Sequence, residues 1–156
     1  MTWVKNHQTP LLVLLILALA VYVSSLNNAF LSDDIAEIRD NPNIGNLGYA
    51  ITSHPFGFIR LIFYWLAFHL GGLNPAPFRL INLFFHLGSV FLLYSILNLI
   101  HGRKLAFFVA ALFAVHPAIS EAVVWISGGS YPQYTFFFLL SFLFYLTSNK
   151  NRLFYL

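Results

Sequence analysis

The residues best suited to chemistry are Asp33 and Asp34, adjacent carboxylates closing the stretch Asn27-Asn28-Ala29-Phe30-Leu31-Ser32-Asp33-Asp34 just after an apolar run. A carboxylate at a membrane surface can take the proton of a hydroxyl nucleophile, and a neighbouring pair offers the oxygen ligands that a divalent cation accepts. The same spacing also fits helix capping: Ser32 or Asp34 can cap a short helix, and Asp34 with Glu37 has the separation of a capping box. A second constellation is His116-Pro117 with Glu121, at the end of an apolar segment where burying an ionisable group is costly and usually functional. Five positions separate His116 from Glu121, so a straight helix keeps them on different faces; a kink at Pro117 would let them converge. The plainer alternative has His116 closing a helix and Glu121 reaching water. Arg60 and Arg79 lie in or beside apolar segments, where a forked guanidinium can grip a phosphate or snorkel to head groups. Arg79, Asn82 and His86 recur at helical spacings, and such a polar stripe on a membrane helix more often joins helices than binds substrate.

These groups belong to a chain with too little charge to cover a water-facing surface. Apolar residues are 59% of it and charged residues 8%, against about 25% charged in a soluble domain. The mean hydropathy of +0.75 agrees. A net charge of +3 and a pI near 9.3 would suit a nucleic-acid binder. The basic residues form no dense patch, however, and several sit at the ends of apolar runs, as topology signals do, so nucleic acid is excluded as a partner. The absence of cysteine excludes disulfides and thiolate metal sites, and the 18 phenylalanines read as lipid-facing and interhelical packing. No Gly-rich phosphate loop, nucleophile elbow or zinc-protease helix is present.

The elements that must position the candidates are apolar runs separated by short polar breaks. Thr9-Pro10 suits a helix start, and the run to Leu26 nears the roughly 20 residues that cross a hydrocarbon core. Lys5 and Val23-Ser24-Ser25 mimic a cleavable signal peptide, but the length of the run favours an uncleaved anchor. Phe56 to Leu70 is short for a span and fits a helix lying in the interface or packed on the bundle, with Gly71 as its left-handed stop. Asn74-Pro75 repeats the cap-and-proline start, His101-Gly102-Arg103-Lys104 makes a tight basic turn, and Pro117 ends or kinks the next helix. Gly128-Gly129-Ser130 breaks the chain again before a last apolar run. The expectation is an all-α polytopic membrane bundle forming one domain over 1–156, with about four spans near 10–26, 77–100, 105–126 (kinked at Pro117) and 131–147. An outer loop, 27–76, carries the short interfacial helix.

Charge sets the expected orientation. With a cytoplasmic N-terminus, Lys5, Arg103, Lys104, Lys150 and Arg152 lie inside, while every acid falls outside with Arg39, Arg60 and Arg79. That obeys the positive-inside tendency, and the reverse orientation breaks it.

An ordered set of motifs adds a resemblance. Leu26-Asn27-Asn28-Ala29-Phe30-Leu31-Ser32-Asp33-Asp34 and Asp40-Asn41-Pro42-Asn43-Ile44 come first. Gly72-Leu73-Asn74-Pro75 and Leu80-Ile81-Asn82-Leu83-Phe84-Phe85-His86-Leu87 follow, then Phe113-Ala114-Val115-His116-Pro117 through Glu121-Ala122-Val123. In order and interval this resembles the GT-C membrane glycosyltransferases, in the branch of protein O-mannosyltransferases and of transmembrane proteins carrying tetratricopeptide repeats. The resemblance implies transfer of a sugar from a polyprenyl-phosphate carrier to a protein or glycan acceptor on the non-cytoplasmic face of a bacterial plasma membrane or endoplasmic reticulum membrane. It makes Asp33 or Asp34 the base, and Arg60, His116 and Glu121 contacts to donor phosphate or acceptor. That family varies in metal use, and no metal or other cofactor is assigned. Two departures stand out: Leu61 occupies a position where relatives often have proline after the arginine, and relatives carry many more spans. The chain is therefore expected to be the N-terminal segment of a larger enzyme, or a truncated copy. The competing classes are a non-catalytic membrane scaffold or subunit and, less well matched, a small transporter, whose acids should lie near mid-membrane rather than in an outer loop.

Overall fold

The structure, a computed structural model, describes residues 2–54 and 57–148, with side chains from Asn6 onward. Lys150, Arg152 and the side chain of Lys5, on which the orientation argument draws, lie outside the described residues.

Seven α-helices are described: α1 (Thr2–Tyr22), α2 (Leu47–Thr52), α3 (Phe58–Gly71), α4 (Pro75–His101), α5 (Arg103–Val115), α6 (Pro117–Val124) and α7 (Ser130–Ser148). A 3₁₀ turn, Val23–Ser25, prolongs α1, a π-helical turn spans Ile35–Arg39, and a second 3₁₀ turn, Ile126–Gly129, joins α6 to α7. The central element is α4, which packs on α1, α3, α5, α6 and α7. Its start shows the anticipated cap, with the Asn74 carboxamide oxygen accepting from Ala76 N at 3.0 Å and Pro75 following at the first helical position.

Two local starts and stops differ from expectation. Helix α1 begins at Thr2 and runs through Pro10, which lies inside it and is buried, rather than starting there. The turn before the proline is anchored at a distance, His7 Nδ1 pairing with the Tyr94 hydroxyl of α4. The left-handed stop of α3 is Gly72 (φ 61°) and not Gly71, which still belongs to the helix. A side chain at Gly71 would come within 2.6 Å of Pro77, so glycine serves there for close approach.

Two apolar cores result. In the first, Leu14, Ala18 and Tyr22 of α1 cluster with Ala106, Ala110 and Ala114 of α5 and with Leu83, Val90 and Tyr94 of α4. Small residues four apart let helix backbones come close, the usual means of association in lipid. Helix α1 thus supplies one wall of this core. The second core lies under the outer loop: Ile38, Ile44 and Ala50 pack on Leu61, Tyr64 and Ala67 of α3, on Phe78 and on Ile126.

Among the described residues, two helices are long and apolar enough to cross a membrane, α1 with its 3₁₀ turn and α4. A third is reached if α5 and α6, bent by 57° at Pro117, count as one broken span. The expected last span, α7, has 19 residues but opens on the polar turn Ser130-Tyr131-Pro132-Gln133. Outward, Phe84, Phe108, Phe138 and Phe144 are each more than 60% exposed, a surface suited to lipid. This is an all-helical membrane protein. Its candidate residues gather at one end, where the loop after α1, the start of α4 and the α6–α7 junction meet.

Candidate active site

The paired aspartates have opposite environments. Asp34 is fully buried, its Oδ1 accepting from Ser127 N at 2.8 Å and from Ser127 Oγ at 2.7 Å, and its Oδ2 from Leu31 N at 3.3 Å. It ties the outer loop to the 3₁₀ turn before α7, 93 residues away in sequence. Asp33 is exposed, and its only described hydrogen bond comes from Ser32 Oγ at 3.3 Å. Ser32 holds a φ of 50°, the one non-glycine residue in the left-handed region among the described residues. That conformation costs a β-carbon-bearing residue about 1–2 kcal/mol. Asp33 and Asp34 follow it in a helical turn, where neighbouring side chains stand about 100° apart, so the first faces outward and the second inward. The capping box is not formed: Asp34 makes no side-chain cap bond to the helical turn it precedes, and Glu37 turns to Arg60.

The segment Val124–Ser127 is pinned almost atom by atom from α3 and α4. Arg79 Nε donates to Val124 O at 2.9 Å, Asn82 Nδ2 to Trp125 O at 3.2 Å, and the Tyr64 hydroxyl to Ile126 O at 3.3 Å. Arg60 Nη1 donates to Ser127 O at 3.2 Å. The remaining nitrogens of Arg79 donate to the carbonyls of Leu26, Asn28 and Ala29. Arg79 is thus buried on backbone oxygens, holding the first outer residues against the end of α6. His86, lower on the same stripe, meets Ala114 O of α5 at 3.1 Å, so the stripe joins helices as its spacing suggested. Gly129 is required here, since a side chain would stand 2.3 Å from Asn82 Oδ1.

Arg60 is the more available cation. Its Nη1 lies 2.9 Å from Glu37 Oε2, its side chain is 23% exposed, and it rests over the Tyr64 ring at 5.5 Å. Burial pushes the Tyr64 hydroxyl far above its usual range despite the opposing influence of Arg60, so it stays protonated and able to donate to Ile126.

His116 and Glu121 do not meet through any described contact. His116 caps α6, its Nδ1 accepting from Ala118 N at 3.2 Å. Glu121, exposed on α6, lines a groove of about 480 Å³ together with Ser120, Val124, Trp125 and, from the outer loop, Leu31 and Ser32. The groove therefore borders the residue that precedes Asp33. Among the described residues, no three His, Asp or Glu side chains converge as a metal site would need.

Neither a family model nor a solved structure matches the chain. Curated proteins do. The sequence is 34% identical over 81% of its length to protein O-mannosyl-transferase TMTC1 of Mus musculus. It is 31% identical over 87% to protein O-mannosyl-transferase TMTC2 of Homo sapiens, and 28% identical over 83% to TMTC3 of Homo sapiens. The chain is related to the TMTC branch of protein O-mannosyl-transferases. It spans 16% of the length of the TMTC1 and TMTC3 proteins and 18% of TMTC2.

Beside the TMTC likeness, the geometry gives roles that the motifs did not. Ser127 donates to Asp34, Glu37 pairs with Arg60, Tyr64 and Asn82 fix the turn, and Trp125 walls the groove. Ser127 directly precedes the Gly128-Gly129-Ser130 break, but nothing local marks it as the partner of a distant carboxylate. The glue role of Asn82 was the one signal available, through its place on the Arg79–His86 stripe.

Proposed function

We propose that this chain forms the acceptor-activating end of a membrane mannosyltransferase site. In this reading the Asp33 carboxylate takes the proton of an acceptor hydroxyl as that oxygen bonds to the anomeric carbon of a polyprenyl-phosphate-linked mannose. The bond from that carbon to the phosphate oxygen breaks, and its electron pair leaves with the carrier phosphate. What carries the proposal is the split between the two aspartates: Asp33 is exposed beside the Ser32 end of the groove, while both oxygens of Asp34 are engaged. The TMTC relatives support the sugar and the reaction class.

Asp34 then acts as a positioning residue, and Arg79 as the clamp that holds the loop. Arg60 is the candidate for the carrier phosphate, exchanging Glu37 for it, because a guanidinium matches phosphate oxygens in pairs. Glu121 lines the groove from α6, as a contact to donor or acceptor, and His116, which caps the start of that helix outside the groove lining, is assigned the same role. The bundle crosses four times in this reading, with a cytoplasmic N-terminus and the site on the opposite face, since the described basic turn at Arg103-Lys104 lies at the other end of the bundle from every acid.

The test is transfer of labelled mannose from polyprenyl-phosphate mannose to a serine- or threonine-bearing peptide in membranes containing the chain. Asp33→Asn should lower the rate by about 100-fold or more, the usual worth of a general base, with the unfolding midpoint unchanged. Full activity in that variant would end the proposal and leave a membrane scaffold.

A further inference from the structure

We propose that the groove between Leu31–Ser32 and α6 is the seat of the neutral sugar ring of the donor, with Trp125 as its wall and Glu121 as its hydroxyl acceptor. This rests on the mannosyl-transfer reading and adds to it the location and the ligand class.

The groove's volume of about 480 Å³ falls within the roughly 300–1,000 Å³ of small-molecule sites. Its wall is chemically uneven in a way that suits a hexose. An indole and two aliphatic side chains, Leu31 and Val124, offer an apolar face for the ring's C–H bonds. The Glu121 carboxylate accepts from sugar hydroxyls, and Ser32 and Ser120, whose own protons go to Asp33 and to the Pro117 carbonyl, add acceptor lone pairs. A second concavity of about 280 Å³ adjoins it, sharing Glu121 and Trp125 and extending to Tyr131, so the same two side chains face ligand space on both sides.

Charge decides which part of the donor belongs here. No lysine, arginine or histidine lines either concavity among the described residues, so nothing there would neutralise a phosphate. The cation able to do so, Arg60, stands outside the groove on Glu37 and Ser127. The neutral ring therefore goes to Trp125 and Glu121, and the phosphate elsewhere.

Trp125 is also held as a recognition wall should be, through its main chain. Its N–H donates to Glu121 O at 2.9 Å and its carbonyl accepts from Asn82, while the indole Nε1 is buried with no partner. The ring is set by its backbone and not by a bond of its own. Because Ser127, two residues on, is gripped by Asp34, the wall and the loop bearing Asp33 form one braced unit.

The experiment compares binding of polyprenyl-phosphate mannose and of bare polyprenyl phosphate to the chain in nanodiscs, for the unaltered protein and for Trp125→Ala, Trp125→Phe and Glu121→Gln. The unaltered chain should prefer the mannosylated carrier. Trp125→Ala and Glu121→Gln should each weaken that ligand by about tenfold and leave the bare carrier unchanged, with Trp125→Phe staying within about threefold of the parent. Glu121 is exposed, so its variant reports even if Trp125→Ala fails to fold. Equal weakening of both ligands would assign the groove to the lipid phosphate and overturn the proposal. A preference for the mannosylated carrier that survives Glu121→Gln intact also overturns it. If the unaltered chain shows no such preference, the transfer reading itself fails first.

Discussion

The body of the bundle and its loop-bearing end are held by different forces. In the body, Ala106, Ala110 and Ala114 of α5 are wholly buried against α1 and α4, with Leu14, Ala18 and Val90 around them. Contact there is apolar and close, and a bilayer offers no competing solvent for it. At the other end, side chains reach across to main-chain atoms: Arg79, Asn82, Tyr64, Arg60 and Asp34 together engage the backbone from Val124 to Ser127. Helix packing tolerates small sliding, whereas hydrogen bonds of fixed length and angle do not. The bundle thus supplies a scaffold, and the polar end supplies the registration that a site needs.

The comparison predicts a ranking of damage. Arg79→Ala should be worst, leaving the carbonyls of Leu26, Asn28, Ala29 and Val124 without their donor; a loss of at least about 3 kcal/mol is expected in detergent unfolding, together with loss of activity. Ala110→Leu, in the body, should cost about 1–3 kcal/mol by overpacking in the same assay. It should spare the sugar preference of whatever protein remains folded, and a variant that folds but loses that preference would erase the division between the two regions. Asp34→Asn should cost about 1 kcal/mol, because a carboxamide oxygen still accepts from Ser127 but without charge. Its activity should fall less than that of Asp33→Asn, and the reverse order would exchange their roles.

The smallest effect belongs to Arg39 and Asp40, an exposed pair at 2.8 Å. The hydrogen bond from Arg39, aided by its charge, holds the Asp40 carboxyl below its ordinary range. Any stabilisation is therefore present above the ordinary aspartate value and lost as pH falls through the lowered one. Both side chains are about half exposed, so Arg39→Ala should leave the unfolding midpoint unchanged while raising the Asp40 titration seen by NMR.

What could be read beforehand was local. Asn74-Pro75 started a helix because a cap and a ring closure need only their own neighbours, and the bend at Pro117 followed from a missing N–H. The stripe from Arg79 to His86 was legible as glue because its spacing is fixed by the helix that carries it. Pro10 misled because a cap-and-proline start is only a local preference, and α1 extends through it to a turn whose His7 meets Tyr94, far along the chain. At the site, the pairing of Asp34 with Ser127 depends on two elements meeting at the end of a folded bundle, and no spacing encodes that. The adjacency of Asp33 and Asp34 suggested a joint role, yet neighbouring side chains in a helical turn diverge, and it is Asp34 that turns inward to Ser127.

The break at Pro117 bears on where the site sits in depth. Arg103–Val115 has 13 residues and rises about 20 Å, roughly two-thirds of a typical hydrocarbon thickness. Where α5 alone meets lipid and α6 bends away, lipids thin to match it or water dips inward over α6. On the proposed reading, a shallow dent of that kind would let a prenyl-anchored donor meet its acceptor without its tail being drawn out of the oil.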